Sequence, residues 1–333
     1  MKTTLEQRHW FSLRGNERDY GWAASCATAG AVVWAACAVL GRMGTARVDA
    51  IELLFLFAPL VIVPLGMELA RVIDGVDRFE RLARRLQPFG AGLALVALWL
   101  PPGRTTALAA VGWLLVCVLM AGSGLAGLGR ALCSDVDRKA RATRVAVAIA
   151  RLDLLVGGTW LVASRWGIHP LGIQEPISLL TAVHFHFAGF ATAMIAAATL
   201  KFAEQRCDLC WLKHLVLMVA GLPILVAAGF AISPAVKMTA AVLFSGSVAV
   251  LAIAMRSCGR KAEDPTARLL LQLASGAVFA GVMFSAAYAV ADYMGWDALT
   301  IPQMAKTHGI LNSFGFCLAG LLGWLVENST PYW

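Results

Sequence analysis

The stretch VDAIELLFLFAPLVIVPLGMEL, residues 48–69, decides the fold. Between Glu52 and Glu68 it carries no charge. A helix rises about 1.5 Å per residue, so a run of this length reaches across the roughly 30 Å of a bilayer's hydrocarbon core. The rest of the chain repeats the pattern. Of its 333 residues 59% are hydrophobic and 14% charged, against about 25% charged in an ordinary soluble domain. Mean hydropathy is +0.72. In lipid every backbone N–H and C=O must be satisfied internally, so only helices or a closed barrel can span. No alternation of apolar and polar residues suggests a barrel. The fold class is therefore all-α, a polytopic membrane helix bundle forming one membrane domain over residues 1–333.

Ten apolar segments fit this frame: 21–41, 50–70, 88–102, 106–129, 145–164, 176–200, 212–232, 236–255, 268–292 and 303–326. The third is short for a span. With alternating spans, 21 of the 28 Lys and Arg fall on one side, in the N-terminal tail and in the loops after the second, fourth, sixth and eighth spans. The opposite side holds Arg42, Arg47, Arg104, Arg165, Lys237 and Lys306, and Arg151 lies inside a span. Basic loops stay in the cytoplasm, which places both termini there and fits a multi-pass protein of a bacterial inner membrane. Residues 1–20 form a cytoplasmic segment, 21–326 the bundle and 327–333 a short cytoplasmic tail. The first twenty residues lack the apolar core and cleavage site of a signal peptide, so the N-terminus is expected to be retained.

The net charge of +8 follows from this topology, and no nucleic-acid partner is expected. The eight cysteines are scattered in mostly apolar runs, as small buried hydrophobes are. Cys207 and Cys210 make one CxxC, a weak zinc or redox signal without further ligands. No metal or other cofactor is expected, and no phosphate-binding, aspartate-rich prenyl-diphosphate or nucleotide motif is present. The two halves show no visible repeat of the kind common in transporters.

Ionisable residues inside spans mark function, because they are costly to insert. Here they are Glu52 and Glu68 in the second span, Arg151 and Asp153 in the fifth, His184 and His186 in the sixth, Asp292 in the ninth and His308 in the tenth, where Asn312 lies one turn on. The second, sixth and tenth spans enter from the same, non-cytoplasmic side. Glu52, His184, His308 and the rim residue Glu175 therefore converge in the outer half of the membrane. His184 and His186 are about 200° apart on an ideal helix, so one faces a cavity while the other bonds a neighbouring helix. His308 and Asn312 share a face, and Asn312 can orient the imidazole. Arg151 and Asp153 need partners on other helices.

Two functions fit these residues. An intramembrane enzyme would use His184, His186, Glu52, His308, Asn312, Glu175 and Asp153 for acid–base chemistry on a lipophilic substrate drawn from the bilayer. Phe185, Phe187, Phe190, Trp160, Tyr288 and Phe314 would line the substrate and steady a carbocation. The reaction expected is a protonation-initiated cyclisation or isomerisation of a prenyl-like chain, without metal or nucleotide. The alternative is a carrier, with the same histidines and carboxylates as proton relays and Arg151 and Asp153 at mid-depth. Haem, metal or quinone binding by the three histidines is a third possibility.

IELLFLFAPLVIVPL, LTAVHFHFAGFA and THGILNSFGFCLAGLLGW resemble the YndJ-like family of bacterial membrane proteins, with TAVHFHFAGF the most specific stretch. The resemblance covers most of the chain. It implies about ten helices and carries the usual label of transporter. Some members have a larger soluble extension at the C-terminus, which this sequence lacks. A looser similarity, in character only, is to small integral-membrane terpene cyclases.

Overall fold

The computed structural model describes residues 17–44, 48–133, 138–207, 209 and 211–329. Lys2, Arg8, Arg14, Arg47 and Cys210 lie outside that set. The described residues form ten helical rods: α1 (Glu17–Arg42), α2 (Ala50–Asp74), α3 (Arg78–Trp99), α4 (Arg104–Cys133), α5 (Arg138–Trp166), α6 (Ile177–Arg206), α7 (Leu212–Ile232), α8 (Pro234–Gly259), α9 (Pro265–Met294) and α10 (Ile301–Ser329). No strand occurs among them. Nine are long and apolar enough to cross a membrane by composition; α3 is the tenth rod.

The segment expected at 88–102 is thus a helix that starts ten residues earlier, at Arg78, and stops at Trp99. Its charged first half became helical because Asp77 caps it, accepting the Glu80 N–H at 2.9 Å, and because its charges find partners in the bundle. Leu100 is extended ahead of Pro101, as a residue before proline prefers to be. Both bundle edges also move slightly. Residues 17–20 belong to α1 and 327–329 to α10.

The centre of the bundle is α2 and α6. In α2 83% of the apolar window is buried and in α6 78%, against 22% in the outermost rod, α1. These two rods and α10 share an irregularity. Each widens from α to π turns: Ala58–Ile62 in α2, Phe185–Ala191 in α6, and Ala305–Gly309 with Leu311–Leu318 in α10. Wide turns leave carbonyls loosely paired, and such bulges gather at functional sites. In α2 the cause is local, since Pro59 has no N–H to donate. In α6 the Thr192 hydroxyl donates to the Phe187 carbonyl at 2.9 Å. In α10 the Asn312 amide donates to the His308 carbonyl at 2.9 Å and the Ser313 hydroxyl to the Gly309 carbonyl at 2.7 Å.

Candidate functional site

The two neighbouring histidines of α6 face different sides. His184 opens onto a cavity of about 310 Å³ walled by α6, α7, α8, α9 and α10, with Leu54 of α2. His186 is fully buried and points the other way, to α4 and α5. Its Nε2 accepts the indole N–H of Trp113 at 2.9 Å, and its Nδ1 lies 2.8 Å from the Ala182 carbonyl. Both contacts are satisfied by one neutral tautomer, with the proton on Nδ1. Gly157 makes room for this ring, because a Cβ there would stand 2.6 Å from Nδ1. His186 is thereby a helix-bridging group, outside the cavity.

Across the cavity from His184 is His308 of α10, the two rings stacked with centroids 6.5 Å apart. The His184 Nδ1 lies 2.6 Å from the Leu180 carbonyl. A proton there leaves Nε2 as a free base. His308 Nδ1 lies 3.0 Å from the Gly281 carbonyl and 2.9 Å from the Asn312 amide nitrogen. The carbonyl calls for a proton on Nδ1 and the amide N–H for a lone pair, so the ring satisfies one of them in each tautomer. Asn312 accordingly holds His308 in place through a contact that depends on its protonation.

The remaining wall is mostly aliphatic and aromatic. Phe185, Phe187 and Tyr288 line it, as does Ser245, whose buried hydroxyl has no hydrogen-bond partner among the described residues. At the rim, Lys237 and Asp292 form an ion pair at 2.8 Å, with the ammonium 4.9 Å from the centre of the Phe230 ring. The charge of Lys237 reads in sequence as a loop charge, and a lone serine in an apolar helix carries no signal. Their place in the site comes from the packing of α7, α8 and α9.

Of the residues expected to act together, the cavity therefore unites His184, His308, Asn312, Phe185, Phe187 and Tyr288. The others lie elsewhere. Glu52 closes a capping box with Asp49 at the start of α2 and pairs with Arg165 at 3.1 Å. Glu175 is exposed ahead of α6, where its carboxylate accepts the Leu179 N–H at 3.3 Å. Asp153 is buried between α5 and α6 with neither carboxylate oxygen hydrogen-bonded among the described residues, and Gly189 packs on it so closely that a Cβ would come within 2.8 Å. Phe190 packs against Gly66 of α2, Trp160 against the hydrophobic core, and Phe314 against Phe57 and Trp34 at 4.3 and 5.2 Å.

At the opposite, arginine-rich end a second polar centre joins α2 to α5. Arg151 pairs with Glu80 at 2.5 Å and with Asp74 at 3.2 Å. Glu68 accepts from Arg71 at 2.6 Å and from Arg84 at 2.7 Å. Asp77 accepts the Ser123 hydroxyl at 2.9 Å. Burial pushes the Asp77 carboxyl up, but the Glu80 N–H, the Ser123 hydroxyl and the Arg151 charge outweigh it and hold the group below the usual carboxylate range. The carboxylate partners of Arg151 sit in ELARVIDGVDRFE, residues 68–80, a stretch that reads in sequence as a plain polar loop. The CxxC contributes a different contact: Cys207 Sγ lies 3.8 Å from Cys258 Sγ. Among the described residues no three His, Cys, Asp or Glu gather as a metal site.

Comparison with known proteins agrees with this architecture. An uncharacterised membrane protein, YndJ, from Bacillus subtilis (strain 168) is 26% identical over 195 residues, 58% of this chain and 34% of the relative. The chain thus spans about a third of the length of the curated relative it matches. No solved structure matches. The model of the YndJ-like protein family aligns with residues 53–316, from the second turn of α2 through the histidine pair to the wide turns of α10, and the chain belongs to that family.

Proposed function

We propose that this chain is an intramembrane enzyme that binds a lipophilic small molecule in the α6–α10 cavity and moves a proton on it through His184 and His308. The observation that carries the reading is the stacked imidazole pair, 6.5 Å apart, on mostly apolar walls. A mostly apolar pocket with two imidazoles suits general acid–base work. One ring removes a proton from an activated allylic carbon and the other returns one at the far carbon of the adjoining double bond, two bonds away, so the double bond shifts and charge balances. The geometry favours isomerisation over cyclisation. Protonating an unactivated alkene needs a strong acid, and Glu52, Glu175 and Asp153 all stand outside the cavity, while Asp292 is paired with Lys237 at its rim. By the charge bias the arginine-rich end faces the cytoplasm of a bacterium, and substrate enters the site from the outer half of the membrane.

A carrier is the second reading. It is favoured by the wide-turned segments in α2, α6 and α10, since interrupted helices surround the sites of many transporters. One experiment separates the two. The protein is purified in detergent, incubated in D₂O, and its co-purifying lipophile extracted for mass spectrometry. The enzyme reading expects deuterium at carbon in the wild-type sample and none in His184→Ala or His308→Ala samples that retain the molecule. The same molecule bound without carbon-bound deuterium would reject catalysis and leave transport.

A further inference from the structure

The cavity's polar groups are unevenly spread, and their pattern bears on the chemistry of its occupant. At the rim stands the ammonium of Lys237. Its position is fixed by close packing of α7 on α8: a Cβ at Gly229 would stand 2.5 Å from Lys237 Cα. The Phe230 face lies under the ammonium, 4.9 Å from the ring centre. Asp292, its partner, is in the last turn of α9 and its side chain is 39% exposed, against 26% for Lys237. Tyr288, one turn before Asp292, also lines the cavity. Eight residues along α8, about 12 Å deeper at helical rise, Ser245 contributes its hydroxyl. That side chain is 99% buried, lines the cavity and has no partner among the described residues. By its place on α8 it marks the inner end of the cavity. The imidazole pair lines the same cavity.

We propose that the occupant is a single-chain amphiphile with an anionic head, carboxylate or phosphate, whose head exchanges with Asp292 at the Lys237 ammonium and whose chain runs inward past His184 and His308 toward Ser245. The inference rests on the cavity reading above and names its substrate class. A cationic head fits less well, because the two imidazoles on the cavity wall add only potential positive charge. A volume of 310 Å³ is at the small end of the range of small-molecule sites, about 300–1,000 Å³, which suits a single medium-length chain.

The test measures binding of radiolabelled decanoate, decyl phosphate and decanol to the full chain in nanodiscs. Both anions are expected to bind stoichiometrically and about tenfold more tightly than decanol, the worth of one hydrogen-bonded charge. Lys237→Gln removes that preference, Lys237→Arg keeps it, and Asp292→Asn raises anion affinity by freeing the cation. Whichever anion binds more tightly identifies the head. Equal binding of all three, unchanged in Lys237→Gln, would overturn the anionic head. Ser245→Trp, which fills the inner end, separates this failure from that of the cavity itself. Decanol binding abolished by Ser245→Trp keeps the cavity reading while the head proposal falls, whereas binding of none of the probes, or binding indifferent to Ser245→Trp, rejects both.

Discussion

Trp113 and His186 show how one hydrogen bond fixes a side chain in lipid. The indole N–H has no water to return to, and the imidazole Nε2 has no other donor within reach among the described residues. Trp113→Phe leaves that nitrogen buried and unpaired, a loss of about 1–3 kcal/mol. The expected result is a lower midpoint of thermal unfolding in detergent, partly restored when His186→Leu is added, since two apolar partners carry no unmet polar group. An unchanged midpoint in Trp113→Phe would show that the bond does not form. Arg151 poses the same question with charge. Its side chain is 1% exposed and that of Glu80 is fully buried. Arg151→Met strands the Glu80 carboxylate, while Asp74 keeps Arg130 and Arg144 at 3.7 and 3.8 Å, and costs about 3–5 kcal/mol, whereas Arg151→Met with Glu80→Leu costs less, measured by the same unfolding assay. A double variant no more stable than the single one would place the weight of the cluster on Asp74. The need of Arg151 for a partner on another helix is legible in sequence, because a lone cation inside a span demands one. Which carboxylates answer it is not, since Glu80 reaches Arg151 only once α3 packs against α4, and Asp74 comes from the last turn of α2.

Rods with wide turns present backbone where regular rods present side chains. At Ala58–Ile62 the turn pushes the Leu60 carbonyl toward α1, directly against Gly30. A methyl at Gly30 would overlap a peptide group, which cannot rotate aside as a side chain can. Gly30→Ala is expected to detach α1, seen as loss of the monodisperse peak in size-exclusion chromatography. Gly92→Ala, on the exposed face of α3 with open space around it, keeps the peak and is neutral or slightly stabilising, because alanine favours the helix by up to about 1 kcal/mol. If both variants behave alike, the α1–α2 contact is not as close as described. Hydropathy makes the rods themselves legible, since lipid leaves the backbone few choices. It is silent on π turns, which depend on a missing N–H at Pro59 in one rod and on hydroxyl and amide side chains that accept the extra residue in the others. His184 and His186 point to different sides in either kind of helix, so that separation is readable from their spacing. That His184 is the one facing the cavity is set by where α7 to α10 stand.

At the scale of the molecule the two polar centres occupy opposite ends, and α3 decides whether they lie on opposite sides of a membrane. With α3 as a crossing the described residues make ten, and the start of α1 and the end of α10 face one compartment. Without it there are nine, and α4 to α10 invert. The contacts favour the crossing. The first turns of α3 bond to Arg151 and Glu68 through Glu80 and Arg84, while just beyond its last turn the Gly103 N–H donates to the Arg165 carbonyl at 2.8 Å. Arg151 and Arg165 are fourteen residues apart on α5, about 21 Å at helical rise, so α3 starts beside one end of α5 and finishes beside the other. Its charged half survives the passage because Glu80 and Arg84 face α2 and α5, where their partners wait, while exposed Phe89, Leu93 and Val96 face outward. Cysteine labelling checks this directly. In a chain with exposed Cys133 replaced by Ser, Arg78→Cys and Pro102→Cys should react with a membrane-impermeant maleimide from opposite sides of sealed vesicles. Pro102→Cys is expected to react from outside in intact cells and Arg78→Cys only after lysis. Reaction of both from one side would make α3 a re-entrant hairpin, reverse α4 to α10, and move the imidazole cavity to the face now assigned to the arginine cluster.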